Sequence, residues 1–261
     1  KTTTALRHAM AGRVLHPTLS VADVVRRDVL SPLWYCDWRR IGRALSGGGQ
    51  PLADEGEHIT GGPEILGRLT GTTLALDIET DGVDPLTARI LCVGLSDGPT
   101  TVVLHPWHDA YGHMLERWLR DNGKALVAHN GFGFDTIVLE KHGMSFEGLI
   151  VHDTLLAHHA YASHLPQRLD QVVSETLDAN AWKITYGQRD ATGAKKRLPK
   201  DMTAEDLAHY NAVDCRLTAK AWAMLEGNPS PLTRERKVYD HDLELAWICR
   251  NMTMPGIGVD L

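Results

Sequence analysis

The sequence predicts an α/β protein in which helices flank a mixed sheet, and three features predict this class. Apolar and polar residues alternate over 73–79, as they do along a strand. Two further apolar runs are joined by the turn Ser96–Pro99, which favours an antiparallel hairpin. Ala125–Ala128 then leads through a glycine-rich turn into a helical segment, which is typical of a parallel crossover with helices on both faces.

Each element follows from a local pattern of this kind. Leu74, Leu76 and Ile78 would face one side of the first strand, and Ala75, Asp77 and Glu79 the other, as in a half-buried strand. We expect five strands, three of them antiparallel, at 73–79, 90–95, 101–104, 125–128 and 149–151. The helical patterns cover 111–120, 134–142 and 203–225, and the chain after 151 is expected to be mainly helical.

Three segments are expected along the chain. Residues 1–57 form a basic helical extension and the Gly-rich linker Ser46–Pro51, and residues 1–45 hold eight Lys or Arg but three Asp or Glu. Residues 58–228 form the central domain, which includes a polar loop at 188–200. The segment Asn228–Pro231 is typical of a boundary, and residues 229–261 would begin a further domain. Because the sequence starts at Lys1 and stops within an apolar stretch, we expect it to be a fragment of a longer chain.

Composition excludes several classes of protein. A net charge of −6 argues against a chain that coats nucleic acid over its whole surface, although a basic arm could contact it at one edge. Four scattered cysteines without a CxxC pair argue against a zinc site or a disulfide framework, so a reducing, cytoplasmic compartment fits best. No apolar run is long enough to predict a membrane-spanning helix, so we expect no membrane partner.

The first candidate for chemistry is the pair Asp77 and Glu79. On a strand, residues two apart share a face, so both carboxylates would lie close enough to hold one hard cation. Their mutual repulsion would otherwise raise their pKa values. The alternative is that they cap the next turn, which is common for acidic residues at a strand end.

The second candidate is the segment His129–Asp135, which follows an apolar strand and opens a helix. Asp135 would lie at the helix N-terminus, where the helix dipole favours a carboxylate. Gly131 and Gly133 would let a substrate backbone approach closely, although they could equally form the turn.

The third candidate is the helix at 203–225, where Thr203 and Asp206 resemble a capping box. Asp214 interrupts an apolar stripe, and a buried carboxylate needs a cation or a strong hydrogen-bond partner. Tyr210 lies one turn earlier, so both side chains reach the same space. The alternative is a core tyrosine beside a satisfied aspartate.

Taken together, Asp77 and Glu79, the segment 130–135, and Tyr210 with Asp214 resemble the DEDD exonuclease superfamily, in its tyrosine-bearing branch, over about 58–227. The resemblance implies a ribonuclease H-like fold and 3′→5′ hydrolysis of a nucleic-acid strand. It also implies two divalent ions, Mg²⁺ or Mn²⁺, held by four carboxylates: Asp77, Glu79, Asp135 and Asp214.

The resemblance further implies a role for each residue. Asp77 would bridge both ions, Glu79 and Asp214 would hold the ion that binds the attacking water, and Asp135 would support the other. Tyr210 would orient that water, because a hydroxyl with a pKa near ~10 is a poor base at neutral pH. Substrate contacts would come from four residues: Thr80, Val83, Asn130 and Phe134. Val83 would act as an apolar wedge between the terminal bases, or it is an ordinary loop residue.

Within the superfamily, the proofreading domain of a phage-like family A DNA polymerase is the first choice, acting on a single-stranded or frayed 3′ DNA end. The segments 244–248 and 254–260 look like the start of the polymerase portion, and 164–170 is similar to phage members. The three-residue gap between Asn130 and Phe134 departs from many bacterial family A enzymes. The alternatives are an RNase D-like RNA exonuclease and a catalytically silent nucleic-acid-binding domain.

Overall fold

The computed structural model describes residues 38, 41–42, 45–46, 56–177, 199–227 and 232–255. Most of the predicted N-terminal extension and linker, and most of the predicted loop at 188–200, therefore lie outside the described residues. The chain divides into two compact units. One comprises 54–163 and 197–261 and contains the sheet, and the other comprises 1–53 and 164–196.

A six-stranded mixed sheet forms the centre of the first unit, with the strand order β1-β4-β3-β2-β5-β6. Strands β2, β3 and β4 are antiparallel, whereas β5 and β6 run parallel to β2, and the edge strand β1 runs parallel to β4. The strands are β1 (Ile59–Gly61), β2 (Thr73–Thr80), β3 (Ile90–Ser96), β4 (Thr101–Leu104), β5 (Ala125–Ala128) and β6 (Val151–Asp153). The predicted mixed sheet with an antiparallel trio is confirmed, but the prediction of five strands was wrong because it missed β1.

The helices of this unit are α1 (Ala110–Asp121), α2 (Asp135–Lys141), α3 (Thr154–Ala162), α5 (Ala204–Glu226) and α6 (Leu232–Thr253). The second unit contains α4 (Leu169–Thr176) among its described residues. Short 3-10 helices lie at Pro63–Arg68, Gly131–Gly133 and Pro199–Asp201. No helix in the described parts of the chain is both long enough and apolar enough to cross a membrane.

The strand β2 is covered on both faces, so the expectation of a half-buried strand was wrong. Leu74, Leu76 and Ile78 pack with residues of α1 and α2, whereas Ala75 packs on the other face with Trp222 of α5. The helix α5 lies across β2, β3 and β4. The polar side chains on that face of β2 therefore lie next to α5, with Asp77 half-buried and Glu79 buried.

The helix α6 packs against α3 and α5 of the same unit. Tyr239 of α6 is fully buried, and its hydroxyl accepts a hydrogen bond from the backbone N–H of Asp153 at 3.2 Å. Arg250 is 5% exposed and donates to the carbonyl and the hydroxyl of Thr136 at 3.1 and 3.2 Å, and it also pairs with Glu140. The helix α6 is thus fixed to β6 and α2, the two elements next to the candidate site.

Candidate metal centre and nucleic-acid site

The strand β2 carries two carboxylates on the face that α5 covers. Asp77 and Glu79 lie two residues apart, so they share this face with Ala75. In the antiparallel pairing with β3, Asp77 lies opposite Gly94 and Glu79 opposite Cys92. The register shifts just after Glu79, an irregularity of the kind that often lies beside an active site.

The helix α5 brings a third carboxylate to the same place. Its N-terminus is capped by Thr203, whose hydroxyl accepts from the backbone N–H of Asp206 at 3.1 Å. Asp214 follows in the middle of the helix and is 2% exposed. One carboxylate oxygen from each of Asp77, Glu79 and Asp214 lies within 4.8 Å of the others.

Three carboxylates this close together repel one another when they are ionised, and burial adds a desolvation cost. A hard divalent cation removes both costs, because Mg²⁺ and Mn²⁺ prefer carboxylate oxygens. The neighbouring thiols supply no competing charge, since burial and the nearby carboxylates raise the pKa of Cys92 and of Cys215. The donor set therefore fits a divalent metal centre.

Asp135 lies beside this group at the N-terminus of α2. Pairing between β5 and β2 stops at Ala75, so the backbone N–H of Ile78 is not used by β5. That N–H donates instead to Oδ1 of Asp135 at 3.3 Å. Asp135 is 8% exposed. Through this hydrogen bond its carboxylate lies next to the strand residue that separates Asp77 from Glu79.

The turn that precedes Asp135 has a left-handed backbone at Asn130, with φ of 61°. Asparagine adopts this conformation more readily than most residues. A side chain at Gly131 would place its Cβ 2.4 Å from the Cβ of Ala128, so the turn requires glycine there. A cavity of about 200 Å³ lies beside the turn, and Asn130, Leu155 and Cys249 are among the residues that line it.

Asp153 holds this turn in place. It is 1% exposed, and its carboxylate accepts from the backbone N–H groups of Asn130 at 3.0 Å and Gly131 at 2.9 Å. It also caps α3 by accepting from Leu155 at 2.8 Å. Burial raises the pKa of Asp153 to about 6, although the donated hydrogen bonds act in the opposite direction.

The other predicted site residues occupy different settings. Tyr210 is partly buried on α5, one turn before Asp214, and Phe134 is partly buried and packs against the core cluster of α1 and α2. The hydroxyl of Thr80 is 2.7 Å from the carbonyl oxygen of Gly82, to which it donates. Val83 is 94% exposed in the loop after β2.

Sequence reasoning missed two residues of the site, Asp153 and Asn211. Asn211 is fully buried on α5 and its side-chain amide donates to Asp77. A signal for Asp153 was available, because an aspartate directly before a helical run is typical of an N-cap. Asn211 lies three residues before Asp214 and so shares a helix face with it, but its partner is 134 positions away in the sequence.

The sheet, the covering helices and the carboxylate cluster define a ribonuclease H-like α/β protein with a candidate metal centre. A family model described as 3′-5′ exonuclease matches residues 64–227, which is most of the chain. The chain therefore belongs to the 3′-5′ exonuclease family. No curated protein sequence matches the chain.

Solved structures with the same fold include one protein from Brucella melitensis and one from Trypanosoma brucei. Brucella melitensis NrnC bound to pGG is 22% identical over 72% of this chain and 83% of that chain, with a TM-score of 0.51. The catalytic core of RRP6 from Trypanosoma brucei, in its C496S mutant, is 13% identical over 77% of this chain and 54% of that chain, with a TM-score of 0.55. At these identities the likeness shows the fold alone.

Proposed function

We propose that this chain hydrolyses the terminal phosphodiester at the 3′ end of a DNA strand by a two-metal mechanism. The observation that carries the proposal is the convergence of Asp77, Glu79 and Asp214, whose ligand oxygens lie within 4.8 Å of one another. Membership of the 3′-5′ exonuclease family supports the reaction class.

Four carboxylates would hold the divalent cations. Asp77, Glu79 and Asp214 would bind them on the face of β2 that α5 covers. Asp135, anchored on the N–H of Ile78, adds a ligand at the end of α2. Bound cations of this kind lower the pKa of an attacking water and neutralise charge on the leaving oxygen.

Tyr210 orients the attacking water through its hydroxyl. It lies one turn before Asp214 on the same helix, so the two side chains reach the same space. A phenol hydroxyl is a weak base, so its contribution is geometric.

The substrate strand lies along the loops at the carboxyl ends of β2 and β5. Asn130 and Phe134 hold the terminal nucleotides, and Thr80 supports the backbone after β2. Val83 is the exposed apolar tip of a loop whose base is closed by two hydrogen bonds between Asp81 and Arg89, at 3.1 and 2.8 Å. An exposed apolar side chain of this kind suits packing against the last base.

DNA is the first choice of substrate because residues 244–260 resemble the start of the polymerase portion of family A DNA polymerases. In this proposal the exonuclease acts as a proofreading domain, and residues 229–261 lead into a polymerase domain. The basic arm at 1–45 would contact the nucleic acid at one edge.

An RNA or short-oligonucleotide substrate is the second candidate. The structural neighbour NrnC was solved with pGG bound, and its fold matches this chain over 72% of the length. An enzyme of this kind would use the same carboxylates without a polymerase partner. A catalytically silent binding domain is less well supported. Burying carboxylates without a cation destabilises a fold, and all four are nevertheless present.

The substrate is tested by direct competition. Two 5′-labelled single strands of identical sequence, one DNA and one RNA, are mixed at equal concentration with the chain and Mg²⁺. Faster shortening of the DNA supports the proposal, whereas faster shortening of the RNA favours the second candidate. Retained binding without cleavage of either strand would overturn both.

A further inference from the structure

We infer that Asn211 is a positioning residue that fixes the carboxylate of Asp77 in the orientation in which it binds divalent cations. The inference rests on the proposed function, because it concerns the same metal centre. It is carried by three observations: the contacts of the Asn211 amide, the glycine opposite Asp77, and the unsatisfied oxygen of the same amide.

Asn211 contacts Asp77 at two points. Its Nδ2 donates to Oδ2 of the carboxylate at 2.8 Å and to the backbone carbonyl of the same residue at 3.1 Å. These contacts hold both the side chain and the backbone of Asp77 against α5. Outer partners that orient a metal-binding carboxylate in this way typically tune the affinity of the site for its metal.

The orientation of the amide is dictated by its neighbours. Both contacts on Asp77 are oxygen acceptors, so the NH₂ group of Asn211 must face them and its Oδ1 must face the opposite side. Oδ1 is buried and has no hydrogen-bond partner among the described residues. A buried acceptor without a partner carries a desolvation penalty, so selection for stability does not explain an asparagine here.

The strand β3 makes room for this asparagine. Gly94 lies directly opposite Asp77 in the pairing of β2 with β3. A Cβ at this position would lie 2.1 Å from Oδ1 of Asn211 and 2.5 Å from Sγ of Cys215. Glycine weakens a strand interior, and its presence here is explained by the close approach of α5 to the sheet.

A neutral amide suits this task better than a cationic side chain. Lysine or arginine in the same place would also hold Asp77, but its charge would offset the carboxylates and weaken their attraction for a divalent cation. Asparagine donates a hydrogen bond and leaves the negative charge of Asp77, Glu79 and Asp214 available to the metal.

The test measures Mn²⁺ binding to the chain in the absence of nucleic acid, by electron paramagnetic resonance of the free ion. Asn211→Ala is expected to weaken Mn²⁺ binding by about tenfold, as is typical when an outer partner of a metal ligand is lost. Asn211→Leu, which has a similar branched shape and removes the unsatisfied oxygen, is expected to weaken binding to the same degree without lowering the melting temperature. The Mg²⁺ concentration for half-maximal cleavage should rise by about the same factor.

Ala221→Gly is the matched control. Ala221 is fully buried on the same helix, ten positions after Asn211, and its replacement by glycine loosens α5 without changing a polar contact. This variant is expected to melt at a lower temperature and to bind Mn²⁺ as the wild type does. Asn211 variants that bind Mn²⁺ within twofold of wild type, or an Ala221→Gly variant that loses binding equally, would overturn the inference. A wild-type chain that binds no Mn²⁺ would overturn the proposed function as well.

Discussion

The backbone N–H of Ile78 donates to the carboxylate of Asp135 at 3.3 Å. This bond joins the helix α2 to the strand residue that lies between Asp77 and Glu79. Asp135 thus has two separable roles. It accepts a hydrogen bond from β2, and it supplies a negative charge to the proposed metal centre.

Replacement of Asp135 by asparagine or alanine separates these properties. Asp135→Asn keeps an acceptor oxygen for Ile78 but loses the charge, so we expect near-normal stability with little cleavage. Asp135→Ala leaves a buried N–H without its acceptor and should lower the free energy of unfolding by a further ~1–3 kcal/mol. Urea unfolding and cleavage of a 5′-labelled strand measure the two effects. Full cleavage by Asp135→Asn would remove this residue from the site.

Asp153 predicts a dependence of stability on pH. Burial raises its pKa to about 6 from an ordinary value of 3.8, so the folded chain takes up this proton before the unfolded chain does as the pH falls. Asp153 therefore favours the folded state more at pH 5 than at pH 7, by about 1 kcal/mol. The contribution is lost as the pH rises through about 6.

The variant Asp153→Asn does not titrate and should lack this dependence of stability on pH. We expect the unfolding free energy of wild type minus that of the variant to be greater at pH 5 than at pH 7. The variant should also be less stable at pH 7. Its side-chain NH₂ would face a backbone N–H that donates to the carboxylate in the wild type, so that N–H would lose its acceptor. An equal difference at the two pH values would show that Asp153 does not titrate in this range.

Asn130 can be tested for backbone and side-chain roles separately. Its φ of 61° is easy for glycine and unfavourable for alanine. Asn130→Gly should keep the stability of wild type, whereas Asn130→Ala should cost about 1 kcal/mol. Both variants should raise KM for the nucleic-acid strand if the side chain holds the terminal nucleotides. Wild-type KM in both would assign Asn130 to the turn alone.

Tyr210→Phe tests the orientation of the attacking water. The carboxylates remain in place, so Mn²⁺ binding should not change. The loss of a positioning hydroxyl should lower kcat by about tenfold to a hundredfold. Single-turnover cleavage at saturating Mg²⁺ measures this step. An unchanged rate would exclude a role for the hydroxyl.

The central part of the fold follows from local sequence patterns. The strands β4 and β5 begin and end where the patterns predict, and the antiparallel hairpin at Ser96–Pro99 is present. The strand β1 was not predictable, because it has three residues and exists through its pairing with β4. The burial of β2 on both faces depends on α5, which is more than a hundred positions later in the sequence.

The candidate site shows the same division between local and distant information. Asp77, Glu79 and Asp214 belong to motifs that can be recognised locally, and the fold brings them within 4.8 Å. Asn211 could not be assigned from its own segment, because its significance comes from a contact with Asp77. The turn at Asn130 likewise depends on Asp153, which lies on the next strand of the sheet.

The most direct test of the metal-dependent site compares wild type with Asp77→Ala on a 5′-labelled single strand, in Mg²⁺ and in EDTA. Circular dichroism confirms that both proteins are folded before cleavage is measured. The account predicts that wild type shortens the strand stepwise from its 3′ end in Mg²⁺ but not in EDTA, and that Asp77→Ala leaves the strand intact. Cleavage by Asp77→Ala at the wild-type rate, or cleavage in EDTA, would contradict it.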